Sequence, residues 1–132
     1  MSKTLKLTIL TPERDFYSGE VVEVITDSVE GRISILADHI PLITTLRPAD
    51  TEITQKDGKK LKAFTSTGIL EVRDNELKIL CDDCEWPEEV DIERARKAKE
   101  RAEERLQSQR DGTDVKRAEM ALARALARIN LK

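Results

Sequence analysis

Histidine, cysteine, aromatic residues and long apolar runs are all scarce in this chain of 132 residues, and each scarcity excludes something. The one histidine, His39, stands beside Pro41 in a run that reads as a loop. A lone loop histidine reads as structural or interfacial rather than catalytic. The two cysteines form an isolated Cys81-Asp82-Asp83-Cys84. Zinc would need two more ligands, and the histidine is far away in sequence. Two ordinary thiols are therefore expected, with a local disulfide left open. Four aromatic residues, Phe16, Tyr17, Phe64 and Trp86, are too few to stack a single-stranded nucleic acid, so no nucleic-acid partner is expected. No run of 18 apolar residues exists to cross a membrane as a helix. Met1-Ser2-Lys3-Thr4 leads straight into a strand pattern, with no apolar signal region, and the expected address is the cytoplasm. The five glycines make no Gly-x-Ser-x-Gly, no phosphate loop and no dinucleotide fingerprint. Carboxylates are plentiful but fall on predicted solvent faces. No catalytic residue and no metal ligand is assigned.

What the chain has in quantity is charge, Ala and helical periodicity near its end. Residues 91–132 carry 12 basic and 8 acidic side chains, a charge of +4. The remaining 90 residues carry −7. A basic tail on an acidic body suggests an anionic partner, although a solvated helix surface accounts for the charge equally well. From Val90 to Gln109 and again to Ile129, apolar residues recur at helical spacing. Ile92, Ala95, Ala98, Ala102 and Leu106 share one face, as do Val115, Ala118, Leu122, Ala125 and Ile129. The break at Arg110-Asp111-Gly112-Thr113-Asp114 makes the pair an antiparallel hairpin, with Asp114 or Thr113 as cap. Its seam is mostly Ala, so packing the helices together gains little, while helix propensity is high. Each helix can persist while the angle between them changes cheaply, as a switch requires.

Arginine also recurs on these helices. Arg94 and Arg101 share a face, and so do Arg117, Arg124 and Arg128. From periodicity alone, such stripes read first as what keeps an Ala-rich helix soluble. Their other reading is a triphosphate holder, since each guanidinium is a rigid fork of donors.

The body ahead of the tail alternates in short runs. Strands are predicted at 5–10, 15–18, 20–26, 32–36, 43–46, 51–55, 60–65, 69–73 and 76–81, with Gly19 ending the second. Asp57-Gly58 and Asp74-Asn75 are turn signals. Some nine short strands with regular turns predict an all-β sandwich or flattened barrel. The fold class is thus α+β: a flattened antiparallel β-sandwich over 1–87, then a two-helix hairpin over 88–132.

Several strings, taken in order, resemble one family. They are Leu10-Thr11-Pro12 with Phe16 to Glu20, Glu30 to Leu36 running into His39-Ile40-Pro41-Leu42, Gly68 to Val72, and Arg117 to Ala125. Together they are similar to the epsilon subunits of bacterial F-type ATP synthases. The resemblance implies a ten-stranded flattened sandwich with a helical hairpin, in a central-stalk subunit without catalytic activity of its own. It implies coupling of c-ring rotation to the gamma subunit of a proton- or sodium-translocating enzyme. Contacts to the polar loops of the c-ring are implied near Glu30 and Gly31 and near His39 and Pro41. It further implies that the mobile tail can extend toward the alpha and beta catalytic subunits and inhibit ATP hydrolysis. Membrane association would come only through the complex, at the cytoplasmic face of the bacterial cell membrane. Some members bind ATP on the folded hairpin, through a pattern that stands here as Val90-Asp91-Ile92-Glu93-Arg94-Ala95, with Arg124, Arg128 and the upstream Glu85. No cofactor is required; ATP enters as a regulatory ligand, with Mg²⁺ left open. Two departures are Val90 at the pattern's first position and Ala37-Asp38-His39 where the family has Pro-Gly-His. A different reading is an interaction module whose basic helical tail docks an acidic protein.

Overall fold

The computed structural model describes residues 3–108 and 114–131. The turn expected at 110–113, with Gly112 and the Thr113 cap, lies outside the described residues. Nine strands come first: β1 (Leu5–Leu10), β2 (Asp15–Ser28), β3 (Gly31–Leu36), β4 (Leu42–Leu46), β5 (Ala49–Gln55), β6 (Lys60–Thr65), β7 (Gly68–Arg73), β8 (Glu76–Cys81) and β9 (Cys84–Glu85). A single 3-10 turn, Pro87–Glu89, leads into α1 (Ile92–Ser108) and α2 (Val115–Ile129).

The strands run β1-β8-β7-β4-β2-β5-β6-β9, with β3 on β2, and β1 also pairs β2. The sheet therefore closes on itself as a flattened barrel. Every ladder is antiparallel except β1 on β8. Alternation explains the core. Leu5, Leu7 and Ile9 of β1, Leu77 and Ile79 of β8, and Leu70 and Val72 of β7 all point inward and are buried. Under the β5–β6 half, Thr51 bonds both Thr26 (2.8 Å) and Thr65 (2.6 Å), so a buried hydroxyl row is satisfied within itself.

The second strand differs from expectation. Gly19 does not end it; one strand runs from Asp15 to Ser28. Gly19 stands opposite Leu7 in the ladder, covered by the Tyr17 side chain. A glycine between Ser18 and Glu20 on a paired strand keeps the extended backbone, because the ladder and not local propensity decides. The short β9 was not anticipated either. Two residues are too few to show a period, and β6 holds them through Phe64↔Glu85 and Thr65↔Cys84. Asp38 takes the left-handed backbone, φ 63°, where the resemblance would place glycine. Aspartate tolerates that region, and the Asp38 N–H donates to Asn75 Oδ1 at 2.9 Å. Cys81 and Cys84 are free buried thiols.

α1 and α2 pack together through Ala95, Ala102, Ala118 and Ala125, all buried. α2 also lies on β5 and β6. It has a second apolar face that the one-stripe reading missed: Ala127, with Leu131 beyond the helix, closes over Phe64 together with Val90 and Ile92. That contact keeps Phe64 fully buried on the outer face of the sheet. Asp114 caps α2 by accepting from the Arg117 N–H at 3.0 Å.

Candidate functional site

The register of β6 with β9 sets up the site. Phe64 and Glu85 are cross-strand partners, so both project from the same face toward α2. Arg128, in the last turn of α2, reaches both. Its guanidinium carbon sits 4.1 Å from the Phe64 ring centroid, and its Nε donates to Glu85. Its Nη2 donates to Asp83 at 3.2 Å. A cation over a ring with two carboxylates at its edge is worth ~0.5–2 kcal/mol for the ring contact alone, more as it is desolvated.

Above that pairing, the hairpin and the sandwich enclose a cavity of about 460 Å³. Asp83, Glu85, Glu89 and Asp91 are among the residues that line it. Arg94 and Arg101 come from α1, and Arg124 and Arg128 from α2. Ala95, Ala98, Ala121 and Ala125 also line it, and their small size is what leaves the space. Glu85, Asp91, Arg94, Arg124 and Arg128, singled out from the sequence, therefore meet in one place. Asp83 and Glu89 join them without having been singled out. Arg101 was visible in the helical stripe, seven residues from Arg94. Arg117 is not among the lining residues and is exposed.

The charges are not evenly spent. Glu89 is held by Arg14 through two bonds, 2.8 and 3.0 Å. That pairing, and the Trp86 N–H on Glu89 Oε1, keep its carboxyl below the usual range. Glu85 and Asp83 share Arg128. One Asp91 oxygen accepts from the Arg94 N–H at 3.1 Å and caps α1. Among the described residues, Arg94, Arg101 and Arg124 form no ion pair. The lining thus holds carboxylates able to accept from hydroxyl or amino groups, and three uncommitted guanidiniums suited to phosphate oxygens. No group of His, Cys, Asp or Glu among the described residues is arranged to hold a metal.

The expected interface residues lie elsewhere and apart. Glu30 and Gly31 form the β2–β3 turn, with Gly31 at φ 130°. His39 and Pro41 lie past the other end of β3, which spans roughly 17 Å at strand rise. Each point carries an exposed apolar side chain, Val29 at the first and Ile40 at the second. A third surface had not been anticipated. Ile69 is opposite Leu80, with Leu10 beside Leu80 and Ile43 on the next strand, all on the outer face of β1-β8-β7-β4. Ile43, Ile69 and Leu80 are 70%, 51% and 51% exposed. Adjacent apolar pairs, Leu42-Ile43, Ile69-Leu70 and Ile79-Leu80, were its sequence signal, because a strand wet on one face should alternate.

Comparison with known proteins gives a consistent picture. Residues 4–87 match the family described as ATP synthase, Delta/Epsilon chain, beta-sandwich domain. Residues 88–132 match the ATP synthase, Delta/Epsilon chain, long alpha-helix domain. The chain is 67% identical over 131 residues to the ATP synthase epsilon chain of Clostridium kluyveri, covering 99% of this chain and 98% of that one. It is 49% identical to the epsilon chain of Clostridium novyi, covering 99% of each. Among solved structures, a chain of the Euglena gracilis mitochondrial ATP synthase superposes with a TM-score of 0.83 at 25% identity, over 94% of this chain and 78% of that one.

Proposed function

The chain belongs to the ATP synthase delta/epsilon family, as an epsilon subunit of the bacterial F-type, and from that premise we propose that it is a nucleotide-responsive regulator within the central stalk. The sandwich couples c-ring rotation to the gamma subunit. The exposed apolar face of Ile43, Ile69 and Leu80, with half-buried Leu10 beside them, suits a lasting subunit interface, because such a patch on a free surface invites association. The Glu30–Gly31 turn and the His39–Pro41 loop are then two separate contact points, the first candidates for the polar c-ring loops. Among the described residues no helix is long and apolar enough to cross a membrane. Attachment at the cytoplasmic face of the membrane belongs to the complex, through these contacts.

The observation that carries the regulatory reading is the cavity under the folded hairpin, lined by three uncommitted arginines of the tail and by carboxylates of residues 83–91. A nucleoside triphosphate placed there would put its phosphates on Arg94, Arg101 and Arg124, with Arg128 beside them. Its ribose hydroxyls or base amino group would face Glu85 and Asp91. The site exists only while both helices lie on the sandwich, so the ligand favours the folded tail by its differential affinity. Extended, the basic tail would reach the alpha and beta subunits and hold hydrolysis back. Arg128 over Phe64 is the intrinsic contact that opposes extension.

Calorimetric titration of the full chain with ATP tests this. Saturable binding in the micromolar-to-millimolar range is expected, weakened at least about tenfold in Arg124→Ala, the loss of one charged hydrogen-bonding partner. Equal binding in both proteins, or none, would remove ATP from the mechanism.

A further inference from the structure

Residues 84–90 connect the sandwich to the tail, and they are tied down more firmly than a linker needs. Arg14, in the β1–β2 turn, grips Glu89 with both Nη atoms and donates from Nη2 to the Cys84 carbonyl at 3.0 Å. Its guanidinium carbon lies 5.0 Å from the Phe16 ring centroid. Phe16 in turn stacks on Trp86, with centroids 4.3 Å apart. Glu89 closes a loop on itself: Oε1 accepts from the Trp86 N–H at 2.9 Å, and the Glu89 N–H donates to the Trp86 carbonyl at 2.9 Å. The Val90 N–H then donates to the Pro87 carbonyl at 3.2 Å.

None of these partners belongs to α1 or α2, so lifting the helices away removes none of them. Asp91 is different. It caps α1 with its side chain on the Arg94 N–H, and its carbonyl accepts from the Ala95 N–H at 3.0 Å. Among the described residues its hydrogen bonds are to the helix and none is to the sandwich. Between the two sets stands Val90, extended at φ −78° and ψ 125°. It shares Phe64 with α2 and loses that cover when α2 leaves.

We propose that Arg14 and Glu89 anchor the fulcrum of the tail, so that the moving body begins at Asp91 while residues 84–90 remain with the sandwich. This rests on the tail movement proposed above. The mechanical boundary then lies three residues beyond the junction of the two matched family regions. The ligand cavity gains a definite character from it: Asp83, Glu85 and Glu89 belong to a stationary wall, and Arg94, Arg101 and Arg124 to a moving one. A ligand that joins the two walls acts across the fulcrum. Arg14 is a positioning residue, which never meets the ligand and sets where the moving wall is hinged.

Site-resolved amide exchange on the full chain tests this, using Arg14→Gln and Arg128→Ala. In Arg14→Gln the Glu89 and Val90 amides are expected to exchange at least about tenfold faster, while the amides within α1, α2 and the core strands keep their rates. The emission of Trp86, the only tryptophan, shifts to the red. The charge-swapped pair Arg14→Glu with Glu89→Arg recovers part of the protection. In Arg128→Ala, α2 loosens and the Glu89 amide stays slow. Unchanged Glu89 and Val90 rates in Arg14→Gln, or an equal acceleration throughout the sandwich, would overturn the anchor. So would joint loosening of Glu89 and α2 in Arg128→Ala. Failure of the tail movement itself reads out separately, as α2 rates in the wild type that ATP does not alter.

Discussion

At the scale of single residues, the fold turns on a few close approaches. Gly68 opens β7 where a Cβ would lie 2.0 Å from the Leu80 carbonyl oxygen and 2.9 Å from the Cys81 Cα. Both obstacles are backbone, so they cannot swing aside. Gly68→Ala is expected to destabilise the sandwich by on the order of 1–3 kcal/mol through overpacking, read as a lower midpoint in urea at unchanged slope. Gly31 and Gly58 have open space around them, and their demand is for positive φ alone. The two cysteines are free thiols, as their isolated spacing leads one to expect. The Cys84 thiol hydrogen-bonds to Cys81 and is buried, and both effects push its ionisation far above the ordinary range. Such a thiol is inert in the folded state.

Among the elements, the tail helices and the strands were legible in different measure. Helical period, Ala content and the Asp114 cap located both helices. Alternation located eight strands, merging two predicted pieces into β2. The candidate site residues come from the resemblance; periodicity alone reads the arginine stripes first as solvation, and it groups Arg117, which does not line the cavity, with Arg124 and Arg128. What stayed hidden depends on pairing rather than pattern. β9 is too short to carry a period, and the second face of α2 shows only as Ala127 and Leu131, two apolar residues beside Arg128. The Arg14–Glu89 clamp joins residues 75 apart. A pH prediction belongs to that clamp. Arg14, then the Trp86 N–H, depress the Glu89 carboxyl below its ordinary value near 4.5. A depressed carboxylate contributes fully above the unfolded value, and its contribution is lost as pH falls through the folded one. Lowering pH from about 6 to about 3 should therefore red-shift Trp86 emission only below the ordinary glutamate value, with no such step in Glu89→Gln. A pair this exposed is also weakened by salt, so the shift should begin at higher pH in strong salt.

For the whole molecule, two duties are proposed on two surfaces, and two variants separate them. Ile69→Asp places a charge in the exposed apolar face without touching the core. It should weaken co-purification with the gamma subunit severalfold or more, while the isolated chain keeps its melting temperature within ~0.5 kcal/mol of stability. A chain ending at Val90 should still assemble, and the assembled enzyme should hydrolyse ATP faster than with the full chain. Assembly indifferent to Ile69→Asp would place the gamma contact elsewhere, and unaltered hydrolysis without the tail would remove inhibition from its duties. The long β2 has a consequence for a subunit that is turned. Its 14 residues pair β1 at one end and β3 and β5 at the other, so it belongs to both halves of the barrel. If the proposed c-ring contact is at the Glu30–Gly31 turn, torque entering there would reach the opposite half along covalent bonds, without having to cross from strand to strand through hydrogen bonds. Shear between the halves must stretch that one continuous spar, so the barrel would turn as a stiff block beneath the tail whose movement is proposed above.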